Sequence, residues 1–183
     1  MLAILREEEP LFRFSDTEKH PRFAQANVQI ASAANPLGKW IAVERLLPHI
    51  VLVGVPREHP ELNNTGVYVQ KALQGQPVLP AALGRFITRT ANRMRWVSDA
   101  EQCEVQSDGT LKPCQQRDVE GIAFWGNIFF NGNDVSSVGC AKRTVCGWGW
   151  EWRYQNFDDN GGWSDHLVSA VLSEKGLGLL RNA

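Results

Sequence analysis

Cysteine is the residue type whose placement in this chain most strongly suggests chemistry. All four cysteines of the 183-residue sequence fall within 44 consecutive positions: Cys103, Cys114, Cys140 and Cys146. Four converging thiolates can hold zinc or an iron–sulfur cluster and stabilise a small β region. The spacing C-x10-C, then 25 residues, then C-x5-C differs from the C-x2-C knuckle of zinc ribbons. The sequence therefore predicts a structural four-cysteine metal site, with zinc and iron–sulfur as alternative cofactors.

The same cysteines admit three other interpretations. Two disulfides, Cys103 with Cys114 and Cys140 with Cys146, would stabilise the same region in an oxidising compartment. Buried cysteines also occur simply as small apolar side chains, without any cofactor. Finally, Cys140 or Cys146 could be a nucleophile with His166, which follows Asp165, as its base. That arrangement would make the protein a hydrolase or transferase; the sequence leaves the question of an enzyme open and leans against it.

An aromatic repeat follows the second cysteine pair. Every second residue from position 148 is aromatic: Trp148, Trp150, Trp152 and Tyr154. A period of two is typical of a β-strand, so the repeat predicts a strand with one fully aromatic face. That face either forms the floor of the core or is an exposed platform on which sugar rings or single-stranded bases stack.

A basic surface is predicted on the longest helical pattern, residues 80–97. Four arginines lie off its apolar stripe: Arg85, Arg89, Arg93 and Arg95. The following segment, residues 99–120, carries six acids against two bases, which favours internal charge pairing. The alternative is that the arginines bind phosphate, nucleic acid or an acidic partner, because the guanidinium fork fits such groups. The formal net charge of −1 gives a nucleic-acid function no support.

These residues need elements to position them. Helices are predicted over residues 21–34, 37–47 and 165–175, and a continuous β-branched run over residues 50–55 predicts a buried strand. Residues 122–130 are apolar on both faces and predict a second central strand. The predicted fold class is α+β: a helical N-terminal half around one buried strand, and an antiparallel β C-terminal half closed by a terminal helix.

Further local signals refine this organisation. The Asp108-Gly109 turn predicts a β-hairpin whose strands carry Cys103 and Cys114. The change of texture near Ser98 predicts a helical subdomain over residues 1–98 and a cysteine-containing β subdomain over residues 99–183, with one single domain as the alternative.

The N-terminal residues bear on the compartment. A short apolar run is followed at once by three glutamates at positions 7–9, without the basic and long apolar regions of a signal peptide. The sequence also lacks a run of about 18 apolar residues, which a membrane-spanning helix needs. We therefore expect a cytoplasmic or cytosol-like protein without a membrane partner.

The function predicted first is a non-enzymatic binding or assembly protein, a subunit of a larger complex. Its four-cysteine site would be structural, and its arginine-lined helix would be the contact surface for a protein partner. The absence of phosphate-loop, dinucleotide-binding, zinc-protease and nucleophile-elbow motifs agrees with this. The alternatives are the Cys/His hydrolase or transferase, and a module whose tryptophans bind carbohydrate or single-stranded nucleic acid.

Overall fold

A mixed β-sheet contains most of the strands of this protein. The computed structural model describes residues 11–13, 24–27, 40–89, 93–130, 136–146, 149–158 and 162–182. The strands within these ranges are β1 Leu11–Arg13, β2 Ala24–Asn27, β3 Trp40–Ala42, β4 Ile50–Gly54, β5 Gln102–Val105, β6 Leu111–Pro113, β7 Gly121–Phe130, β8 Ser136–Arg143, β9 Trp150–Asn156 and β10 Leu167–Leu172.

Short helices connect and cover the strands. They are α1 Val43–Leu46, α2 Gly66–Ala72, α3 Ala81–Thr88, α4 Trp96–Asp99 and α5 Glu174–Arg181, with single 3-10 turns at Leu47–His49 and Arg93–Arg95. No described helix is long and apolar enough to cross a membrane.

The main sheet runs in the order β6-β5-β4-β10-β7-β8-β9, and β2 pairs with β7 beside this path. The β4–β5 and β7–β10 pairs are parallel, whereas the remaining pairs are antiparallel. Strands β1 and β3 form a separate antiparallel pair. Among the described strands, β6 and β9 are therefore the two ends of the main sheet.

The predicted fold class is wrong, as the position of strand β4 in the sheet shows. The buried strand over residues 50–55 exists, and all five residues of β4 are buried. However, the N-terminal half is not helical around it, because β4 lies between β5 and β10 from the C-terminal half. A buried strand must hydrogen-bond its backbone on both edges, and a helix cannot supply those bonds. The sheet thus crosses the boundary predicted at Ser98, while the division into residues 1–98 and 99–183 stays a prediction.

The predicted terminal helix over residues 165–175 is also wrong in place. Residues 167–172 form strand β10, and α5 begins only at Glu174, where the Ser173 side chain caps it. Strand β10 pairs with β4 on one edge and with β7 on the other, and its side chains pack into the core clusters on both faces of the sheet. A run that is apolar on both faces fits a central strand as well as a buried helix. Here the segment is a strand because it pairs with β4 and β7.

The other predicted helices correspond to shorter elements in the structure. In the helix predicted over residues 37–47, residues 37–39 lie outside the described part, and the rest forms strand β3, the single turn α1 and the start of the 3-10 turn at Leu47. The helix predicted over residues 80–97 is split into α3, a 3-10 turn and α4, and residues 90–92 lie outside the described part. In the predicted helix over residues 21–34 the described part is strand β2, which pairs with β7.

Local turn and strand signals are confirmed. Strands β5 and β6 form the predicted hairpin, and Gly109 adopts the positive φ of 82° that its turn requires. Strands β7 and β9 confirm the predicted central strand and the predicted aromatic strand.

Apolar side chains cover both faces of the sheet. On one face Leu46, Leu83 and Leu180 from α1, α3 and α5 join the larger core cluster. On the other face Val69 of α2 packs with Phe157 and the residues around it in a second cluster. Within the described part of the chain, the sheet therefore lies between two helix-bearing layers.

Candidate binding surface at the sheet edge

Strand β9 and helix α3 together form the most distinctive surface of the protein. Because side chains alternate along β9, Trp150, Trp152 and Tyr154 all point to the face that α3 covers. Each of these three side chains is half-buried. We call this set, together with Arg85 of α3 and Arg143 at the end of β8, the α3–β9 surface.

Arg85 joins the helix to the aromatic strand. Its guanidinium donates a hydrogen bond to the Tyr154 hydroxyl at 2.7 Å, and its Cζ lies 5.9 Å from the centroid of the Trp152 ring. A guanidinium over an indole face is attracted by the ring quadrupole. Arg85, one of the four predicted arginines, therefore lies on the same surface as the aromatic strand.

Trp152 is held by the core beneath it. Its ring centroid lies 5.7 Å from that of Phe124, and the missing side chain of Gly139 leaves room for the indole, which a Cβ there would overlap. The Trp152 Nε1 atom is buried without a hydrogen-bond acceptor among the described residues, and a buried donor of this kind normally has one. The indole is thus rigidly placed while its polar atom is left unsatisfied.

A second arginine covers the other end of the aromatic row. The Cζ atom of Arg143 lies 5.6 Å from the Trp150 ring centroid, and its Nη1 atom lies 3.0 Å from Asp118 Oδ1. Arg89 and Arg95 are exposed, whereas the side chain of Arg93 lies outside the described part, as does Trp148. The α3–β9 surface therefore combines a row of aromatic side chains with the two guanidinium groups of Arg85 and Arg143.

The four cysteines do not come together. Cys103 of β5 and Cys140 of β8 pack in the same core cluster, but β4, β10 and β7 lie between their strands. Four strand spacings separate them by about 19 Å, whereas the sulfurs of one zinc site lie within about 4 Å of each other. No group of three or more His, Cys, Asp or Glu side chains in the described part is placed to hold a metal ion. The metal site stays a prediction that this geometry does not support.

The predicted disulfide pairs are not formed either, since none of the four cysteines is in a disulfide. Cys103 pairs across the hairpin with Pro113, so alternation turns Cys114, one residue further on, toward the opposite face. There the Arg117 Nη2 atom donates to Cys114 Sγ at 3.4 Å and to Glu104 Oε1 at 2.6 Å. Cys114 thus belongs to a surface charge network.

The thiols differ strongly in their environment. Burial raises the pKa of the Cys140 thiol to about 12, and burial followed by the Glu101 carboxylate raises the pKa of Cys103 to about 11. Because the thiolate is the nucleophile, both thiols are almost entirely in the unreactive form near neutral pH. Cys146, in contrast, is exposed in the turn after β8.

These environments predict an order of modification. In the native protein at pH ~8 we expect iodoacetamide to alkylate Cys146 first, while Cys103 and Cys140 are protected until the chain is unfolded. Peptide mapping by mass spectrometry after timed alkylation measures this, with a guanidinium-unfolded sample as the control in which all four react. Early alkylation of Cys140 in the native state would contradict its described burial.

Cys146 and His166 lie at the same end of the sheet. The Arg143 amide donates to the Glu120 carbonyl, and the Glu120 amide donates to the His166 carbonyl. However, His166 Nδ1 lies 3.0 Å from the Asp118 carbonyl oxygen, and Cys146 Sγ lies 3.3 Å from Thr144 Oγ1. Neither Cys146 nor His166 is among the described residues that line the nearby cleft of about 440 Å³. The geometry thus brings the two candidates to one region without forming a nucleophile–base pair.

Sequence reasoning missed two contributors to the α3–β9 surface, Arg143 and Phe124. Arg143 reaches Trp150 because these two residues face each other in the β8–β9 register. A hairpin register counted back from the aromatic strand could have indicated Arg143. The chain carries no comparable local signal for Phe124, because its place under Trp152 depends on the packing of β7 beside β8.

The described residues define a mixed-sheet α+β protein with an arginine–aromatic surface at one end of its sheet. Comparison of the chain with protein-family models, curated proteins and solved structures finds no significant match. Its function is therefore inferred from the contacts, burial and charges of its own residues.

Proposed function

We propose that the protein is a non-enzymatic assembly protein that binds a protein partner through the α3–β9 surface. The observation that carries this proposal is the row of three half-buried aromatic side chains on a strand at the end of the sheet, with two arginines over its rings. Tryptophan, tyrosine and arginine are the residues that contribute most binding energy at protein interfaces.

Rigidity favours this function. Trp152 packs on Phe124 and Tyr154 packs edge-on against Phe129 with a centroid distance of 5.3 Å. Side chains that are already ordered in the unbound protein lose little conformational entropy when a partner binds. The surface is thus prepared for a contact before the partner arrives.

The arrangement of the rings favours a protein over a sugar or a single-stranded nucleic acid. Stacking ligands need an open aromatic face, but Arg85 lies over Trp152 and Arg143 lies over Trp150. A protein partner can instead pack against the accessible part of these half-buried side chains while its carboxylates meet the guanidinium groups. We therefore expect acidic residues around the partner's contact site.

A paired cross-linking and affinity measurement tests the proposal. A photo-reactive amino acid at exposed Arg89 should form an adduct with one defined protein in the native host, whereas the same group at exposed Glu61 should not. With that pair purified, Trp150→Ala should weaken Kd by roughly 30-fold, the effect of losing one interface hot spot. The matched control is Leu62→Ala, which removes a side chain that is 63% exposed and should leave Kd unchanged.

A change in Kd is meaningful only if each variant is folded at the assay temperature, so a thermal unfolding curve is recorded for each one. An adduct from Arg89 whose formation is unaffected by Trp150→Ala would contradict the proposal. Equal adducts from positions 89 and 61 would do the same, because they would show contact without a specific surface.

A further inference from the structure

The outer edge of β9 has a definite hydrogen-bonding pattern. The Thr144 amide donates to the Gly149 carbonyl, and the Phe157 amide donates to the Ser136 carbonyl. Between these two bonds, every second residue of β9 forms a hydrogen-bonded pair with β8. Even-numbered residues of β9 therefore direct their backbone groups away from β8. The contact of Trp163 Nε1 with the outward Asn156 carbonyl at 3.0 Å agrees with this phase. Trp152, at the centre of β9, accordingly directs its N–H and C=O outward.

The two end strands of the sheet, β6 and β9, differ in length and composition. The end strand β6 is only three residues long and contains Lys112 and Pro113, both of which discourage pairing with another strand. Strand β9 is seven residues long and contains no proline, and no described strand pairs with its outer edge. Of the two ends, β9 is the one whose composition permits a further strand.

The charges on β9 are self-complementary. Glu151 and Arg153 lie on the face opposite the aromatic row, with side chains 37% and 58% exposed and a 2.6 Å ion pair between them. If a second β9 pairs antiparallel about a two-fold axis at Trp152, Glu151 of each copy faces Arg153 of the other copy. Opposite charges across strands are stabilising, whereas like charges directly opposite are destabilising. In a parallel, in-register pairing each charge would face its own kind.

From these features we infer that two copies of the chain associate antiparallel through β9, so that their sheets become one continuous sheet. This inference goes beyond the proposed function: the second copy pairs with the backbone edge of β9, and the α3–β9 surface of each copy stays available for the acidic protein partner. The first backbone hydrogen bonds join Trp152 to Trp152 of the second copy, each donating its N–H to the other's C=O. The two α3–β9 surfaces then lie side by side on one face of the joined sheet, as a closed two-fold assembly requires.

Charge exchange tests the register directly. Sedimentation-equilibrium analysis of the full chain should give a dimer for the wild type and for the double exchange Glu151→Arg with Arg153→Glu. Each single reversal makes like charges face each other, so we expect Kd to weaken on the order of tenfold or more. An equimolar mixture of the two single variants should regain the dimer, because every Arg then faces a Glu of the other copy.

The folded state of each variant is checked by thermal unfolding, because an arginine at position 151 would face Lys142 within the chain. A monomeric wild type would overturn the inference, as would single variants that dimerise as well as the wild type. A monomeric wild type that still forms the Arg89 adduct with another protein would overturn the dimer and leave the proposed function standing. A monomeric wild type that also forms no Arg89 adduct would contradict both the dimer and the proposed function.

Discussion

Replacing Phe124 by alanine is expected to lower the free energy of unfolding by about 3–5 kcal/mol, as for large aromatic side chains in well-packed cores. The ring is only 1% exposed and lies within the larger core cluster. It contacts the Trp152 ring on one side, and a Cβ at Gly84 would lie 2.5 Å from its Cδ2 atom. Removing it therefore leaves a cavity between helix α3 and the sheet, beneath the α3–β9 surface.

Chemical denaturation followed by far-UV circular dichroism measures this effect. Phe124→Leu keeps more of the volume and should cost less, and Leu62→Ala on the exposed loop should stay within about 0.5 kcal/mol of the wild type. We also expect Phe124→Ala to weaken partner binding, because Trp152 loses the ring on which it rests. A loss of stability no larger than that of Leu62→Ala would contradict the described core.

Two glycine-to-alanine substitutions in helices are expected to have opposite signs. Gly178→Ala in α5 meets no atom within 4 Å, so it should stabilise the protein by about 0.5–1 kcal/mol through reduced freedom of the unfolded chain. Gly84→Ala in α3 gains the same helical preference, but its Cβ would overlap the Phe124 ring. Overpacking of this kind typically costs about 1–3 kcal/mol.

Thermal and denaturant unfolding of the two variants gives the comparison, with Gly178→Ala as the matched control for helix propensity. The origin of the Gly84 effect is tested in a Phe124→Leu background, where a smaller neighbour should make Gly84→Ala less costly. Contacting residues show such non-additivity, whereas independent sites do not. Additive changes, or a stabilising Gly84→Ala, would show that helix α3 does not pack closely on Phe124.

The sequence by itself determined those features that depend on neighbouring residues. The β-branched run at 50–55 became β4, the Asp108-Gly109 turn became the β5–β6 hairpin, and the alternating aromatics became β9. Backbone preference and the period of two act over a few residues, so they can be recognised without knowing the fold. The residue types of the α3–β9 surface, arginine and tryptophan, were recognisable for the same reason.

Only the tertiary structure decided how these pieces combine. The period of residues 167–172 fits a helix or a buried strand, and their pairing with β4 and β7 decided for β10. Pairing also separated Cys103 from Cys140 by three intervening strands and placed Arg85 of α3 against Tyr154 of β9. These outcomes require distant backbone groups to satisfy each other and distant apolar faces to be buried together, and a local sequence pattern carries no record of either.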